Sequence, residues 1–277
     1  MPDTPFIDMQ RRFGGIERLY GPSGLERLRV AHIAVAGIGG VGSWCVEALA
    51  RSGVGALTLI DLDHIAESNI NRQLHALTDT LGVGKTEAMA RRIAGINPDC
   101  RVRQIDDFVT PENVRELLAH DVGLLVDCTD QASAKIAMIL EARDRRLPLV
   151  VCGGAGGKTN PLALRASDLS QALNDALLAK LRNSLRRQHG YPKASDQAGK
   201  PRKRIPKMGV RVVWFDQPAR LPTLWMEPVR GDAGDEGLQG LSCSGYGSLV
   251  TVTAAMGLAA ASEAMHYLLE GRFSPSL

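Results

Sequence analysis

The chain has 277 residues, of which 44% are hydrophobic and 23% are charged, and its formal net charge is +3 at pH 7. This composition is typical of soluble globular proteins and disfavours disordered or fibrous classes, while the length allows one large α/β unit. The five cysteines form no Cys-x-x-Cys pair, so a disulfide framework and a four-thiolate zinc site are both disfavoured, and we expect no zinc.

Two segments bear on the location of the protein. Residues 1–20 carry charged side chains throughout and lack the pattern of a secretory leader, which predicts a cytoplasmic protein. Residues 245–261, GYGSLVTVTAAMGLAAA, are apolar over 17 positions, at the lower limit for crossing a bilayer. We expect a buried helix there, with a membrane span as the alternative.

The N-terminal 29 residues are rich in arginine, and two interpretations are open. The segment forms a solvated helix packed on the sheet, or one of its arginines reaches a phosphate, in the same subunit or in a partner subunit. The arginines are Arg11, Arg12, Arg18, Arg27 and Arg29.

Residues 31–72 have the pattern of a nucleotide-binding unit. An apolar strand at 33–36 leads through the glycine turn 37–42 into an Ala/Leu-rich helix, and a second strand at 57–60 ends at Asp61. Glycines let backbone N–H groups approach a phosphate at a helix N-terminus, and an acid about 20 residues later suits a ribose hydroxyl. A bound nucleotide is therefore predicted.

The rest of the first half alternates between strands and helices, which predicts a mostly parallel, Rossmann-like α/β sheet. The predicted elements are a helix that begins near Gly84-Lys85 and ends before Asn97-Pro98, a strand at 101–105, a short helix at 111–118, a strand at 122–126, a helix at 135–145 and a strand at 149–152.

The second half follows the glycine run 153–157 and is predicted to be mixed or antiparallel. Its expected strands lie at 162–166, 211–215 and 223–226, without crossover helices. We predict one domain over residues 1–277, with a nucleotide-binding core at 24–160 and a second half at 161–277.

Residues 180–207 form a basic insert with ten Lys or Arg residues and one Asp. A solvated charged loop after a short helix at 180–188 is one interpretation. Contact with nucleic-acid phosphates is the other, because neutralised phosphates release counterions and so provide sequence-independent affinity.

The residues after Asp61 separate ATP chemistry from redox chemistry. A nicotinamide cofactor needs no cluster of cations here, whereas attack at the α-phosphorus of a triphosphate places charge on the leaving pyrophosphate, which fixed positive groups must stabilise. Asp130, at the end of the fourth strand and so on the same sheet edge, is placed to hold Mg²⁺. The donors and cations are Asn69, Asn71, Arg72, Gln73 and Lys85.

The motifs GIGGVGS, LIDLDHIAESNINRQLH, GVGKTEAMARRIAGINPDCRV and LLVDCTDQ resemble the adenylating core of the ubiquitin-activating-enzyme-like family over about residues 30–160. The resemblance implies adenylation of a carboxylate by MgATP in a homodimer, with Mg²⁺ on Asp130. It implies catalytic roles for Arg72, Lys85, Asp130 and, from the N-terminal arm, Arg18. The implied ATP-binding residues are Gly37, Gly39, Gly40, Gly42, Asp61, Asp63, Asn69, Arg72, Gln73 and Lys85.

The motifs QRRFGGIERLYG, DDFVTPENV, VVCGGAGGK and LSCSGYGS are similar to one branch of that family, the bacterial tRNA threonylcarbamoyladenosine dehydratases, and this resemblance covers nearly the whole chain. It implies activation of the threonyl carboxylate of the modified adenosine at position 37 of tRNA, followed by ring closure with net loss of water. The tRNA contacts would be Arg186, Arg187, Lys200, Arg202, Lys203 and Arg204.

Several alternatives stay open. The protein could adenylate the C-terminus of a ubiquitin-like sulfur carrier, although such relatives usually carry paired Cys-x-x-Cys zinc ligands, or it could be a nucleotide-dependent redox or binding protein. Relatives place an arginine finger where this chain has Gly14 and Gly15, so Arg18 or Arg12 would have to supply it.

The resemblance also implies a partnership with a cysteine desulfurase system or another sulfur acceptor. Cys243, in a loop of small residues, is the candidate thiol for such a step, although ring closure within one substrate needs no enzyme thiol. A monovalent cation near residues 153–157 is a further open question.

Overall fold

A computed structural model describes residues 8–196, 200, 202–221 and 246–276. Its helices are α1 (Met9–Val30), α2 (Gly42–Arg51), α3 (Lys85–Ile96), α4 (Val114–Leu117), α5 (Ala132–Arg145), α6 (Ala176–Gln188) and α7 (Val250–Glu270). Its strands are β1 (His32–Ala36), β2 (Ala56–Ile60), β3 (Arg101–Ile105), β4 (Leu124–Asp127), β5 (Leu149–Cys152), β6 (Leu164–Asp168) and β7 (Arg211–Phe215).

The seven strands form one sheet in the order β3-β2-β1-β4-β5-β7-β6, in which only the β6–β7 pair is antiparallel. The central strands are short apolar runs buried on both faces, as parallel sheets covered by helices require. The predicted fold class is confirmed. Both halves of the chain contribute to the same sheet, since β6 and β7 extend the nucleotide-binding half.

Helices cover both faces of the sheet. On one face α1, α2, α3 and α7 pack against Ile33, Val35 and Val213, and on the other α5 and α6 pack against Ala34, Leu125 and their neighbours. Because successive side chains of a strand point to opposite faces, each central strand supplies both cores. The sheet is thus held rigidly, and the loops at its edges are positioned by it.

Residues 250–261 of the apolar segment considered as a membrane span form the first part of α7, which packs on α2. A Cβ at Gly257 would lie 2.3 Å from the Val41 carbonyl oxygen, so glycine allows the two helices to approach closely. Within the described ranges, no helix has the length and apolar character needed to cross a bilayer. The expected buried helix is confirmed, and it starts beside the glycine turn.

Several element boundaries differ from the predictions. α4 is shorter than expected because residues 111–113 form a turn closed by Thr110 Oγ1, which accepts from the Asn113 N–H (3.3 Å). β6 starts two residues late because Pro161 opens a short 3₁₀ turn capped by Asn160. The second half is mixed as predicted, and α6 connects β6 and β7, which are antiparallel neighbours. The predicted strand at 223–226 lies outside the described residues.

Candidate functional site

A cavity of about 260 Å³ opens at the carboxyl ends of β1 to β5, where the strand order reverses between β1 and β4. Open α/β sheets bind their ligands at such a switch point. Most of the predicted site residues meet here: Gly37, Gly39, Gly40, Asp61, Asp63, Asn69, Arg72, Gln73, Lys85 and Asp130 all line the cavity.

The glycine turn after β1 is required by close backbone packing. Gly37 has φ +82°, and a Cβ there would lie 2.9 Å from the Cys128 carbonyl group. A Cβ at Gly42 would lie 1.8 Å from the Gly37 carbonyl oxygen. Gly42 is therefore needed to form the turn, but it packs behind the cavity and is absent from its lining, in contrast to its expected place beside the phosphates.

The peptide groups on both sides of Ile38 are fixed by two side chains. The Ile38 N–H donates to Asp61 Oδ2 (2.6 Å), and His75 Nε2 lies 3.0 Å from the Ile38 carbonyl oxygen. Burial lowers the pKa of His75 to about 4, the bond to Ile38 opposes this shift, and the Lys85 charge adds to it. His75 is therefore neutral near pH 7 and donates from Nε2. Sequence reasoning missed His75, whose one signal was its position directly after the donor cluster.

Lys85, the first residue of α3, lies between two carboxylates. Its Nζ is 2.6 Å from Asp63 Oδ2 and 3.7 Å from Asp61 Oδ1. Burial raises the pKa of Asp61, and Lys85 and two backbone N–H donors oppose that shift. The ammonium group is thus held at the cavity wall by acidic partners.

Arg72 is held in position by neighbouring residues before any ligand binds. Its side-chain stem lies 3.2 Å from the position that a Cβ on Gly40 would take, and its carbonyl oxygen accepts from Trp44 Nε1 (3.0 Å). Nη1 donates to the Ser68 carbonyl oxygen (2.8 Å) and to Asn71 Oδ1 (3.0 Å). Among the described residues Nε and Nη2 have no partner, so the guanidinium presents free donors at the cavity.

Gln73 presents to the cavity a buried acceptor that lacks a partner in the described ranges. Its side chain is 6% exposed and lines the cavity, and its Oε1 has no hydrogen-bond partner among the described residues. A buried polar atom without a partner costs about 1–3 kcal/mol, so such atoms are normally satisfied by a ligand or water. This wall therefore suits a ligand or a water molecule that donates a hydrogen bond to Oε1.

Four helices begin at the cavity, and none of these four, α2, α3, α5 and α7, has a side-chain N-cap. Away from the cavity lining, α1 and α6 are capped by Asp8 and Asp175, and α4 has no side-chain N-cap. Uncapped helix N-termini attract anions through their free N–H groups and the helix dipole. The arrangement suits a ligand with several phosphate groups.

Asp130 fits the predicted role of a metal ligand. Its carboxylate is exposed at the cavity, and within the described part of the chain it has no hydrogen bond or ion pair. Mg²⁺ is usually held by one or two protein carboxylates together with substrate phosphates and water. No cluster of three or more His, Cys, Asp or Glu side chains that could hold an ion is found in the described ranges.

The charges around the cavity are unbalanced. Four carboxylates line it, but only two cations do among the described residues, which leaves two excess negative charges. A triphosphate would therefore need further positive charge from a metal ion or from another side chain. The carboxylates are Asp61, Asp63, Asp107 and Asp130, and the cations are Arg72 and Lys85.

The N-terminal arginines do not reach this cavity in their own subunit. Arg12 Nη1 donates to the Gly95 and Ile96 carbonyl oxygens (3.1 and 2.7 Å) at the end of α3, on the opposite edge of the sheet. Arg18 is exposed on α1 beside Gly14 and is absent from the cavity lining. Neither arginine can therefore act on a ligand of the same chain in this conformation.

The basic insert also lies away from the cavity. α6 begins next to Asp175, which accepts from the Gly154 N–H (2.8 Å), and its 13 residues carry the chain about 20 Å along the helix axis. None of the predicted tRNA contacts lines the cavity. Those six residues are Arg186, Arg187, Lys200, Arg202, Lys203 and Arg204.

The thiols near the site are not activated. Cys128 and Cys152 follow β4 and β5 with their Sγ atoms 3.7 Å apart. The bond from Cys152 lowers the pKa of Cys128, but the bond to Cys45 and burial outweigh it and raise the pKa well above its usual value. A protonated thiol is a poor nucleophile. Cys243, the predicted candidate, lies outside the described residues.

The loop after β5 already contains a buried positive charge. Lys158 Nζ donates to the carbonyl oxygens of Asn174 (2.7 Å) and Gln217. Burial lowers the pKa of Lys158, while Asp175 and Asp216 oppose the shift. The Lys158 ammonium thus binds carbonyl oxygens close to residues 153–157, where a monovalent cation was considered.

Sequence reasoning gave no site role to several cavity residues, although most of them lie in motifs by which the chain resembles its relatives. They come from the loops after β3 and β5, from the start of α7 and from the residues just before it. These residues are Asp107, Phe108, Val109, Ala155, Gly156, Ser248 and Thr253.

Comparison with known proteins places the chain among adenylating enzymes. The model of the ThiF family matches residues 13–275. The chain is 42% identical over 261 residues to the tRNA threonylcarbamoyladenosine dehydratase of Escherichia coli, covering 94% of each chain. It is 36% identical over 228 residues to the enzyme of the same name from Bacillus subtilis, covering 82% of each.

Solved structures agree with these sequence matches. The crystal structure of the E. coli dehydratase in complex with ATP superposes with a TM-score of 0.80 at 39% identity, covering 95% of each chain. The same enzyme in complex with AMP also gives a TM-score of 0.80, covering 95% of this chain and 96% of that one.

Proposed function

This chain belongs to the ThiF family, and from that premise we infer that it is an ATP-dependent tRNA threonylcarbamoyladenosine dehydratase. The observation that carries this inference is the 42% identity to the E. coli enzyme over 94% of both chains. The cavity supports it, because its position, uncapped helices and orphaned Gln73 amide suit a nucleotide.

The reaction proceeds in two steps. The threonyl carboxylate oxygen attacks the α-phosphorus of ATP, so that pyrophosphate leaves and an acyl adenylate forms. The carbamoyl group of the same nucleoside then attacks the acyl carbon, a five-membered ring closes, and AMP departs with the former carboxylate oxygen. The substrate has lost one water in net terms. An E. coli relative solved with both ATP and AMP is consistent with this nucleotide cycle.

The cavity residues divide this work between binding and charge stabilisation. Backbone N–H groups of the part of the glycine turn that lines the cavity hold phosphate oxygens, and Asp61 is the candidate for the ribose hydroxyls. Arg72 and Lys85 stabilise the charge that develops on the leaving pyrophosphate, an effect that is large in sites that exclude water. Phe108, 45% exposed at the cavity, offers a flat apolar surface for the adenine.

The excess negative charge of the cavity is the reason to expect two further groups. Asp130 would hold Mg²⁺, which neutralises phosphate oxygens when bound. An arginine from the N-terminal arm of a second copy, Arg18 or Arg12, would supply the remaining charge in a homodimer. Neither arginine lines the cavity of its own chain, so each would have to act on the cavity of a partner.

The decisive experiment incubates the protein with MgATP and tRNA bearing threonylcarbamoyladenosine. We expect mass spectrometry of the digested tRNA to show loss of one water from the modified nucleoside, with AMP and pyrophosphate released in equal amounts. tRNA lacking the modification is the matched control. Unchanged nucleoside mass with protein that binds ATP would refute the function, and pyrophosphate exchange driven by a sulfur-carrier C-terminus instead would establish the alternative.

The basic insert would act at a distance from the chemistry, on the tRNA backbone. We expect the double variant Lys203→Ala, Arg204→Ala to weaken tRNA binding and to reduce the slope of log Kd against log salt by about 2, since each lost phosphate contact removes about one unit. The turnover number at saturating tRNA should stay unchanged because neither residue lines the cavity.

Titrations of tRNA at several salt concentrations measure this effect. Arg91→Ala, which removes an exposed arginine on α3 outside the insert, is the control. Identical affinities and salt slopes for the double variant and the wild type would show that these two residues do not contact tRNA.

A further inference from the structure

Asn71 joins two parts of the cavity that are far apart in sequence. Its Oδ1 accepts from Arg72 Nη1 (3.0 Å), and its Nδ2 donates to the Ser248 carbonyl oxygen (3.0 Å). The Asn71 amide thus accepts from the Arg72 guanidinium and donates to the backbone that leads into α7. The separation between Asn71 and Ser248 is 177 residues.

The contact continues beyond Ser248. The neighbouring Gly247 carbonyl oxygen accepts from the Gly157 N–H (3.0 Å), and the Gly157 carbonyl oxygen accepts from the Arg220 N–H (2.8 Å). The backbone before α7 is therefore held both by the loop after β5 and by Asn71. Arg72 is linked through one amide to a fixed point of the fold.

The orientation of Arg72 depends on this link. Nη1 makes both of its bonds along the wall of the cavity, to Ser68 and Asn71, and leaves Nε and Nη2 free. Without Asn71, one of these two anchors is lost and the flexible side chain gains rotamer freedom, which must be removed again whenever a phosphate is bound. Asn71 itself is exposed and contributes nothing to a hydrophobic core.

We propose that Asn71 is a positioning residue, which holds the Arg72 guanidinium against the start of α7 so that its free donors face the leaving pyrophosphate. The inference rests on the proposed adenylation. Asn71 acts through Arg72 and takes no part in bond making. Because the guanidinium acts on charge that appears in the transition state, loss of its orientation lowers kcat more than it raises the KM for ATP.

The test compares Asn71→Ala and Asn71→Asp with the wild type. The alanine removes both bonds, whereas the aspartate keeps an acceptor for Arg72 but has no donor for the Ser248 carbonyl. We expect each variant to lower kcat about tenfold, with a change in the KM for ATP below threefold and an unaltered melting temperature. Asn183→Ala, which changes an exposed asparagine on α6, should match the wild type.

A second measurement does not depend on turnover. Calorimetric Kd values for ATP are determined for Asn71→Ala in the wild-type and Arg72→Ala backgrounds. We expect about a threefold weakening in the wild-type background and no change where Arg72 is absent, because Asn71 acts only through that side chain. Equal weakening in both backgrounds, or unaltered kcat in Asn71→Ala, would overturn the proposal. If the wild type bound ATP but did not dehydrate tRNA, only the proposed function would be refuted. The comparison of ATP Kd values in the two backgrounds would still test the role of Asn71.

Discussion

Replacement of Arg72 by alanine is expected to lower kcat for tRNA dehydration by about 10³-fold. The guanidinium carries one of the two positive charges at the cavity within the described residues, and its free Nε and Nη2 donors are already oriented. Removal of one such preorganised donor from an active site costs about 10²–10³ in kcat, and loss of a full charge opposite a leaving phosphate costs more.

The stability of the variant should not change by more than about 0.5 kcal/mol, because Arg72 is half-buried and its hydrogen bonds to Ser68 and Asn71 are exposed. Single-turnover assays with MgATP and modified tRNA measure the effect. Arg51→Ala is the control, since Arg51 lies at the far end of α2 and pairs with Glu47. A rate for Arg72→Ala within tenfold of the wild type would remove Arg72 from the catalytic set.

The second large effect concerns the stability of the loop that carries Asp130. Lys135, on α5, is completely buried, and its Nζ donates to Asp127 Oδ1 (3.1 Å) and to the Cys152 carbonyl oxygen (2.8 Å). The same Asp127 oxygen accepts from the N–H and hydroxyl of Thr129 (3.0 and 2.8 Å). One buried ion pair therefore fixes the ends of β4 and β5 and the turn toward Asp130.

Lys135→Met is expected to destabilise the protein by about 3–5 kcal/mol, because it leaves the Asp127 carboxylate buried without its counter-ion. The double variant with Asp127→Asn should recover part of this loss, since no uncompensated charge then remains. Urea unfolding with a constant m value measures both effects. Lys180→Met, at an exposed position of α6, is the control. A loss below 1 kcal/mol for Lys135→Met would show that the pair does not stabilise the fold.

The nucleotide-binding half could be predicted closely because its signals are local. β3 and β5 have the predicted limits, and the helix after Lys85 ends before Asn97 as proline at the next position requires. Short apolar runs between turn residues predict parallel strands with little dependence on the rest of the chain. The edge at which the site lies then follows from the direction of those strands.

The predictions for the second half were weaker because its order depends on pairing between distant segments. β7 lies between β5 and β6 in the sheet. β5 and β6 are consecutive in the chain but are not neighbours, and β6 forms the edge of the sheet. The stretch from 180 to 188 was predicted as a helix, but nothing local indicated that it would pack beside α5 and connect the two strands. Burial of its leucines against a helix 40 residues away determined that result.

The site, like the fold, was predictable where it depends on local sequence patterns and not where it depends on contacts between distant segments. The sequence by itself determined that a glycine turn, Asp61 and the donors around Arg72 would meet at one edge of a parallel sheet, since their spacing follows from strand and helix lengths. Only the tertiary structure decided that Gly42 packs behind the cavity and that Arg12 is bound to the end of α3.

The tertiary structure also brought Ser248, just before α7, to the wall of the cavity that carries Arg72, where Asn71 donates to the Ser248 carbonyl oxygen. No local pattern could indicate this contact, because it joins segments 177 residues apart through one side-chain amide. The sequence thus determined which polar and charged residues meet at the cavity. Long-range packing decided which side chains orient them.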